Sequence, residues 1–118
     1  MNVKKITNDE RNKINRSVLS KLLRACEKIG WLPFEADGDE VIGLTKAELI
    51  EHVFQIDGAT IKFSKDTIHD FRIVVFTPYN CGADCIVDWS YVSETEPFFL
   101  AVDSVAMMEE PIYEMVKG

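Results

Sequence analysis

The sequence lacks the short motifs that mark most enzyme active sites, and it has few of the residues from which such sites are built. Only three of its 118 residues are cysteine and only two are histidine. It contains no glycine-rich phosphate loop and no GxSxG, HExxH or CxxC motif. Because the common signatures of phosphoryl transfer, serine hydrolysis and zinc-dependent hydrolysis are missing, we predict that the protein is not an enzyme and uses no cofactor or metal.

Long apolar segments are also missing. The longest unbroken apolar run is residues 98–102, far short of the roughly 20 residues that a membrane-spanning helix needs. The opening residues, MNVKKITNDERNK, include no apolar stretch typical of a secretory signal peptide. A small, odd number of cysteines (Cys26, Cys81 and Cys85) is typical of a reducing compartment. These features predict a cytoplasmic protein that does not bind a membrane.

Two of the cysteines form a C-x3-C pair that leaves one catalytic alternative open. Cys81 and Cys85, together with His52 and His69, supply four side chains of the types that bind zinc. The spacing of the histidines does not match a zinc finger, and a reactive cysteine would need a neighbouring base and a lowered pKa. A metal- or thiol-dependent enzyme is therefore an alternative function, and two incidental thiols are the simpler interpretation.

The hydrophobic pattern predicts two amphipathic helices in the first half of the chain. Apolar residues recur at helical spacing over residues 14–29 and 49–56, and a glycine follows each segment. Each segment is preceded by a capping box, in which a threonine and the glutamate three residues later each satisfy a backbone N–H of the other. The two capping boxes are Thr7 to Glu10 and Thr45 to Glu48. Residues 31–43, between the helices, are predicted to form an irregular connection.

The second half of the chain is rich in β-branched and aromatic residues, which favour strands. Strands are predicted at residues 59–64, 71–76, 85–92 and 98–102, although the last segment also fits the start of a buried helix. Turn-forming residues between the second and third segments indicate a loop within an antiparallel pair.

The order of these elements predicts an α+β fold in one domain, residues 1–118. We expect two N-terminal helices packed on a mainly antiparallel sheet of three to four strands. A short C-terminal helix is predicted to begin at residue 103 or 104 and to break at Pro111.

Charge is distributed unevenly along the chain. The net charge is −7, yet residues 1–28 carry eight lysines or arginines and three acids, a net charge of +5. The remaining residues carry five bases and seventeen acids, a net charge of −12. A basic first helix is thus joined to a strongly acidic body, and this asymmetry is the main functional signal in the sequence.

The acidic body favours a protein-interaction domain. A negative surface can dock on a basic site of a partner, including a site that also binds nucleic acid, and complementary charge speeds association. We therefore predict a small regulator or inhibitor whose partner is another protein. The predicted contact residues are acids together with aromatic or polar neighbours: Trp31, Phe34, Glu35, Asp37, Asp39, Glu40, Tyr79, Asn80, Asp84, Glu94 and Glu96.

The basic helix offers a different function, as an accessory protein that binds nucleic acid. Its polar side carries five cations that could contact phosphates: Lys13, Arg16, Lys21, Arg24 and Lys28. The acidic body would repel a polyanion, and no aromatic side chain is interleaved with these bases for stacking on a single strand. A molecule with separated charges can also pair with a second copy, so a homo-oligomer is a further expectation.

Overall fold

The chain alternates helices with short strands. The computed structural model describes residues 2–116, so the first residue and the last two residues of the predicted domain lie outside it. Within this range there are seven β-strands and three α-helices. In chain order they are β1 (Val3–Ile6), α1 (Asn8–Lys28), β2 (Leu32–Ala36), β3 (Asp39–Glu40), α2 (Lys46–Phe54), β4 (Ala59–Ser64), β5 (Phe71–Phe76), β6 (Ile86–Trp89), α3 (Pro97–Ala106) and β7 (Ile112–Met115).

Both predicted capping boxes are confirmed at the starts of α1 and α2. The Thr7 hydroxyl accepts the Glu10 N–H and the Glu10 carboxylate accepts the Thr7 N–H. Thr45 and Glu48 form the same reciprocal pair, with the Thr45 N–H 2.9 Å from the Glu48 carboxylate. These pairs satisfy backbone donors that have no partner within the helix, so the sequence alone determines where the two helices begin.

We expect the stability of the protein to depend on pH through these two caps. The hydrogen bonds from the Thr7 and Thr45 backbone N–H groups hold the pKa of Glu10 and Glu48 below the ordinary value of 4.5. A depressed pKa contributes stability that is present above the unfolded-state pKa and is lost as the pH falls through the folded-state pKa. The urea midpoint, measured from about pH 6 to about pH 3, should therefore decrease less in Glu10→Gln/Glu48→Gln than in wild type.

Glu94→Gln is the control for this measurement, because Glu94 is an exposed loop carboxylate outside the helix termini. This variant should keep the pH dependence of the wild type. A double variant whose midpoint falls as steeply as that of the wild type would show that the caps do not contribute.

The strands form two separate sheets. The larger sheet has five strands in the order β3-β2-β4-β5-β6, and every neighbouring pair is antiparallel. The predicted pairing of the central strands is therefore confirmed as β5 with β6. In the smaller sheet β1 lies parallel to β7, with Val3 opposite Ile112 and Ile6 opposite Met115.

All three helices pack on one face of the larger sheet. The alternation along β4 shows this most clearly. Ala59, Ile61 and Phe63 are buried, whereas the residues between and after them, Thr60, Lys62 and Ser64, are partly exposed. The buried cluster joins one side of each helix to this face of the sheet. The fold is thus two layers of the α+β class, as predicted, with one face of the sheet left open to solvent.

Several details of the predicted architecture are wrong. Residues 98–102, predicted as a strand, belong to α3, and the predicted final helix ends at Ala106 before it reaches Met107. The strand predicted over residues 85–92 covers only Ile86–Trp89, and a β-bulge opposite Val75 turns Val87 outward and Ile86 inward. The sheet has five strands where three or four were expected, and the pair β1 and β7 was not anticipated.

Candidate docking surface

The β2–β3 hairpin places three of the predicted contact residues at one edge of the sheet. Asp37 and Gly38 form its turn, and their φ angles of 51° and 88° are both positive, as in the type I′ turn that Asp-Gly favours. Asp39 and Glu40 then pair antiparallel with β2. The connection that was predicted to be irregular is thus a hairpin, and the three carboxylates of its turn and of β3 are exposed.

The other exposed contact residues lie in the connections before and after β6. Tyr79, Asn80 and Asp84 are exposed in the loop between β5 and β6, and Glu94 is exposed between β6 and α3. Because β3 and β6 are the outer strands, about four strand spacings, or roughly 19 Å, separate the two edges. Asp84 and Glu94, on either side of β6, are therefore distant from the hairpin across the sheet. Tyr79 instead reaches the residues before β4, where its hydroxyl donates to the Asp57 carboxylate at 3.1 Å.

Trp31 and Glu96 are structural residues, which corrects their prediction as partner contacts. Trp31 is only 7 % exposed, with its ring centroid 5.3 Å from that of Phe98 and its face 5.0 Å from the Arg72 guanidinium. The Glu96 side chain is 13 % exposed, and it accepts hydrogen bonds from Arg72 Nε at 3.0 Å and from the Phe99 N–H at 3.3 Å. The second of these bonds caps α3, so both residues maintain the fold and neither is available for docking.

Phe34 and Glu35 are half-buried on β2. The Phe34 ring packs edge-on against Phe71, with 6.3 Å between the ring centroids. Glu35 is balanced by Lys62, whose Nζ lies 2.9 Å from the carboxylate. Glu35 therefore adds little uncompensated charge to this edge, whereas Phe34 contributes apolar surface.

We call the exposed carboxylates at this edge of the sheet and on the outer side of α2 the acidic face: Asp37, Asp39, Glu40, Glu48 and Glu51. Asp39 turns toward α2, whereas Glu40, paired opposite Glu35, lies on the open side of the sheet. All five side chains are exposed. The hairpin and α2 touch where the Asp39 carboxylate lies 3.2 Å from His52 Nε2, a close contact that does not have hydrogen-bond geometry. Sequence reasoning did not place Glu48 and Glu51 among the contact residues, although the acidic outer side of α2 was visible in the helical pattern.

In the part of the chain that the structure describes, the cations of α1 pair with one carboxylate of this face. Arg16 forms an ion pair with Glu51, and it is the residue of α1 that reaches the acidic face. Within residues 2–116, four carboxylates of the face have no lysine or arginine nitrogen within 4.0 Å: Asp37, Asp39, Glu40 and Glu48. The negative potential therefore extends into solvent at this edge of the molecule.

An apolar groove of about 700 Å³ adjoins the acidic face. Its main lining residues are Leu32, Phe34, Ile42, Leu44, Leu49 and Ile68. Leu32, Ile42, Leu44 and Ile68 are between 41 % and 63 % exposed, which is unusual for four aliphatic side chains around one depression. Ile42 and Leu44 follow the hairpin directly, and Leu44 also lies against the exposed side of α2. Sequence reasoning missed this groove.

No protein family, curated protein or solved structure matches the chain. Within residues 2–116, no helix is both long and apolar enough to cross a lipid bilayer. The chain therefore has two adjoining surfaces, the acidic face and the apolar groove. Their chemistry is the information from which the class of binding partner can be inferred.

The three cysteine thiols lie in environments that raise their pKa. All are free, and burial raises the pKa of Cys26 and of Cys85 to about 12. Burial also raises the pKa of Cys81, and the nearby Glu110 carboxylate acts in the same direction. Protonated thiols are poor nucleophiles, so these environments are the reverse of the one that activates a catalytic cysteine.

The cysteines and histidines of the metal alternative do not assemble. His52 lies on α2 beside Asp39, whereas Cys81 precedes a short 3₁₀ turn, Gly82–Cys85, and Cys85 is the last residue of that turn, before β6. Among the described residues, no three histidine, cysteine or acidic side chains are close enough to hold a metal ion.

The cations of α1 form a separate surface, the basic ridge: Lys13, Lys21, Arg24 and Lys28. These side chains are exposed along one side of the helix, and none has a carboxylate within 4.0 Å in the part of the chain that the structure describes. Arg16, the fifth predicted cation, is committed to its ion pair with Glu51. The basic ridge borders a shallow depression between α1 and α3.

The loop that carries Tyr79 and Asn80 is hydrogen-bonded to a buried asparagine of α1. Asn15 is fully buried, and its Nδ2 donates to the carbonyl oxygens of Pro78 at 2.9 Å and Asn80 at 2.8 Å. Its Oδ1 accepts the Gly82 N–H at 2.8 Å. Both N–H donors of the Asn15 amide and its acceptor oxygen are therefore used in hydrogen bonds to this loop.

Proposed function

We propose that the protein is a non-enzymatic interaction domain that regulates or inhibits a partner protein by docking its acidic face on a basic surface. The observation that carries this proposal is the juxtaposition of Asp37, Asp39 and Glu40 with exposed aliphatic side chains at one edge of the sheet. Interfaces between proteins combine an apolar centre with a polar rim, and this edge has both parts.

The partner surface is basic, of the kind that also binds nucleic acid. Uncompensated carboxylates attract a cationic surface at long range, and the net charge of −7 acts in the same direction. By occupying such a surface the domain would exclude a polyanion from it. The free state of all three cysteines supports a reducing compartment, and we place this activity in the cytoplasm.

Neutralising the hairpin should slow docking. We expect Asp37→Asn/Asp39→Asn/Glu40→Gln to reduce the association rate with a captured partner by about tenfold or more at low salt, because long-range attraction steers the encounter. Affinity capture with mass spectrometry identifies the partner, and surface plasmon resonance at several salt concentrations measures the rate.

The matched control removes three carboxylates from the opposite edge of the sheet, in Asp84→Asn/Asp88→Asn/Glu94→Gln. Both triple variants change the net charge equally, so a rate that falls only in the hairpin variant locates the contact at the acidic face. Equal rates for the hairpin variant and the wild type would contradict the proposal, and an equal loss in both variants would show an effect of net charge alone.

The basic ridge supports a second candidate function, the binding of nucleic acid. The specific observation is that Lys13, Lys21, Arg24 and Lys28 are exposed without ion-pair partners in the described residues. The experiment above separates the two candidates when a third variant, Lys21→Gln/Arg24→Gln, and an oligonucleotide ligand are included. Salt-sensitive oligonucleotide binding at about 50 mM salt that this variant abolishes would favour the second candidate.

A further inference from the structure

The apolar groove beside the acidic face has a size and a composition that restrict what can enter it. Its volume of about 700 Å³ lies within the range of roughly 300–1,000 Å³ in which protein pockets bury small ligands. It can therefore take a few side chains of a partner but not a folded element in full. Its walls are formed mainly by aliphatic and aromatic side chains, so the inserted groups are apolar.

The structure points away from an extended peptide as the occupant. A peptide that adds to a sheet needs a row of free N–H and C=O groups on the edge strand. Along the part of β2 that borders the groove, Pro33 has no N–H and the Phe34 carbonyl oxygen already accepts the Val41 N–H at 3.1 Å. A β-bulge between Pro33 and Glu35 further interrupts the ladder of this strand. The groove is therefore open to side chains and closed to strand addition.

The charges around the groove define the flanks of the occupant. The two charged residues in its lining, Glu27 and Lys46, satisfy each other at 2.7 Å. Two uncompensated carboxylates adjoin the groove residues: Glu40 precedes Val41 and Ile42 in the chain, and Glu48 lies in the first turn of α2. The cation Lys65 follows the groove residue Ser64 on another side. A segment seated in the groove would thus meet carboxylates beside its apolar side.

We propose that the groove accepts the apolar side of an amphipathic α-helix of the partner protein, whose flanking lysines or arginines contact the acidic face. This inference rests on the proposed function and names the element of the partner that is recognised. A helix satisfies its own backbone groups and presents aliphatic side chains at positions i, i+3, i+4 and i+7, which suits a groove that offers apolar walls without a free strand edge.

Three synthetic peptides of identical leucine and lysine composition test this inference. The first places leucine at helical spacing, the second alternates leucine with lysine as in a strand, and the third is scrambled. Fluorescence anisotropy at about 150 mM salt, where long-range attraction is screened, should show the helical peptide binding at least about tenfold more tightly than the other two. Circular dichroism should show that the peptide gains helix on binding.

Variants of the protein locate the contact. Ile42→Ser/Leu44→Ser should weaken binding of the helical peptide by about tenfold or more, because each change removes an exposed aliphatic group of the groove. Val92→Ser/Leu100→Ser is the matched control, since these aliphatic side chains are similarly exposed (60 % and 50 %) and lie outside the groove. It should bind the peptide as the wild type does.

The outcomes distinguish this inference from the proposed function. If the scrambled peptide binds as well as the helical one while the hairpin variant weakens both, the groove inference fails and docking through charge survives. If the groove variant weakens binding and the hairpin variant does not, the acidic face is excluded and the groove is retained. Preference for the alternating peptide, or a self-association that Ile42→Ser/Leu44→Ser abolishes, would overturn the inference in favour of a strand or a second copy.

Discussion

Replacing Phe98 with alanine should lower the free energy of unfolding by about 3–5 kcal/mol, the usual cost of deleting a buried aromatic ring. Phe98 is fully buried on α3, and its ring centroid lies 5.3 Å from that of Trp31 and 5.5 Å from that of Phe63. The ring thus packs α3 against Phe63 of β4 and against Trp31, in the short connection between α1 and β2. Urea denaturation followed by circular dichroism at 222 nm, near the helix minimum, measures the loss.

Leu100→Ala is the control for this prediction, because Leu100 lies two residues away on the same helix and is 50 % exposed. It should change the free energy of unfolding by less than about 0.5 kcal/mol, as surface substitutions usually do. A loss below about 1 kcal/mol in Phe98→Ala would mean that α3 is not anchored through this ring.

Replacing Asn15 with alanine should cost about 3 kcal/mol, because two buried hydrogen bonds and one partly buried hydrogen bond are lost together. The truncation leaves the Pro78 and Asn80 carbonyl oxygens and the Gly82 N–H without their side-chain partner, and unsatisfied buried groups cost more than a hydrogen bond gains. The loss should be accompanied by faster hydrogen exchange at the Gly82 amide, measured by NMR.

Asn12→Ala provides the comparison for Asn15, since Asn12 is exposed on the same helix. This variant should retain both the stability and the slow exchange of the wild type. If Asn15→Ala leaves the exchange rate of Gly82 unchanged, the loop is positioned by other contacts, of which the hydrogen bond from the Ala83 N–H to Glu110 at 2.8 Å is the nearest in the chain.

Local signals in the sequence predicted the elements whose stabilising contacts are also local. The capping boxes located the starts of α1 and α2, and alternation along β4 and β5 identified both strands. The type I′ turn at Asp37-Gly38 was equally local, and the Asp-Gly pair was an available signal for the hairpin that was overlooked.

Elements whose partners are distant in the chain could not be predicted in this way. Residues 98–102 are apolar on all sides, so their pattern has no helical period, and the better signal was Pro97 at the first position of α3 after the capping residue Glu96. The pairing of β1 with β7 joins segments more than a hundred residues apart, and no property of either segment specifies the other.

In the candidate site, too, local features could be predicted from the sequence and features that depend on long-range packing could not. Exposed carboxylates of the hairpin follow from its sequence, whereas the contact between the hairpin and α2 depends on how the helix packs. The separation of the hairpin from Asp84 and Glu94 follows from the strand order, and residues 41–44 can line the groove because β3 ends at Glu40. Strand order and strand length are outcomes of packing that composition does not reveal.

The parallel pairing of β1 with β7 has a mechanical consequence. Since the strands run in the same direction, the beginning of β1 and the end of β7 lie at opposite ends of the pair, with Val3 beside Ile112 and Ile6 beside Met115. Tension applied through the two ends of the chain would pull the two strands past each other in shear. The hydrogen bonds between them would then be loaded together and would not open one after another. The short terminal sheet is therefore placed where it would bear the first load if the domain were stretched.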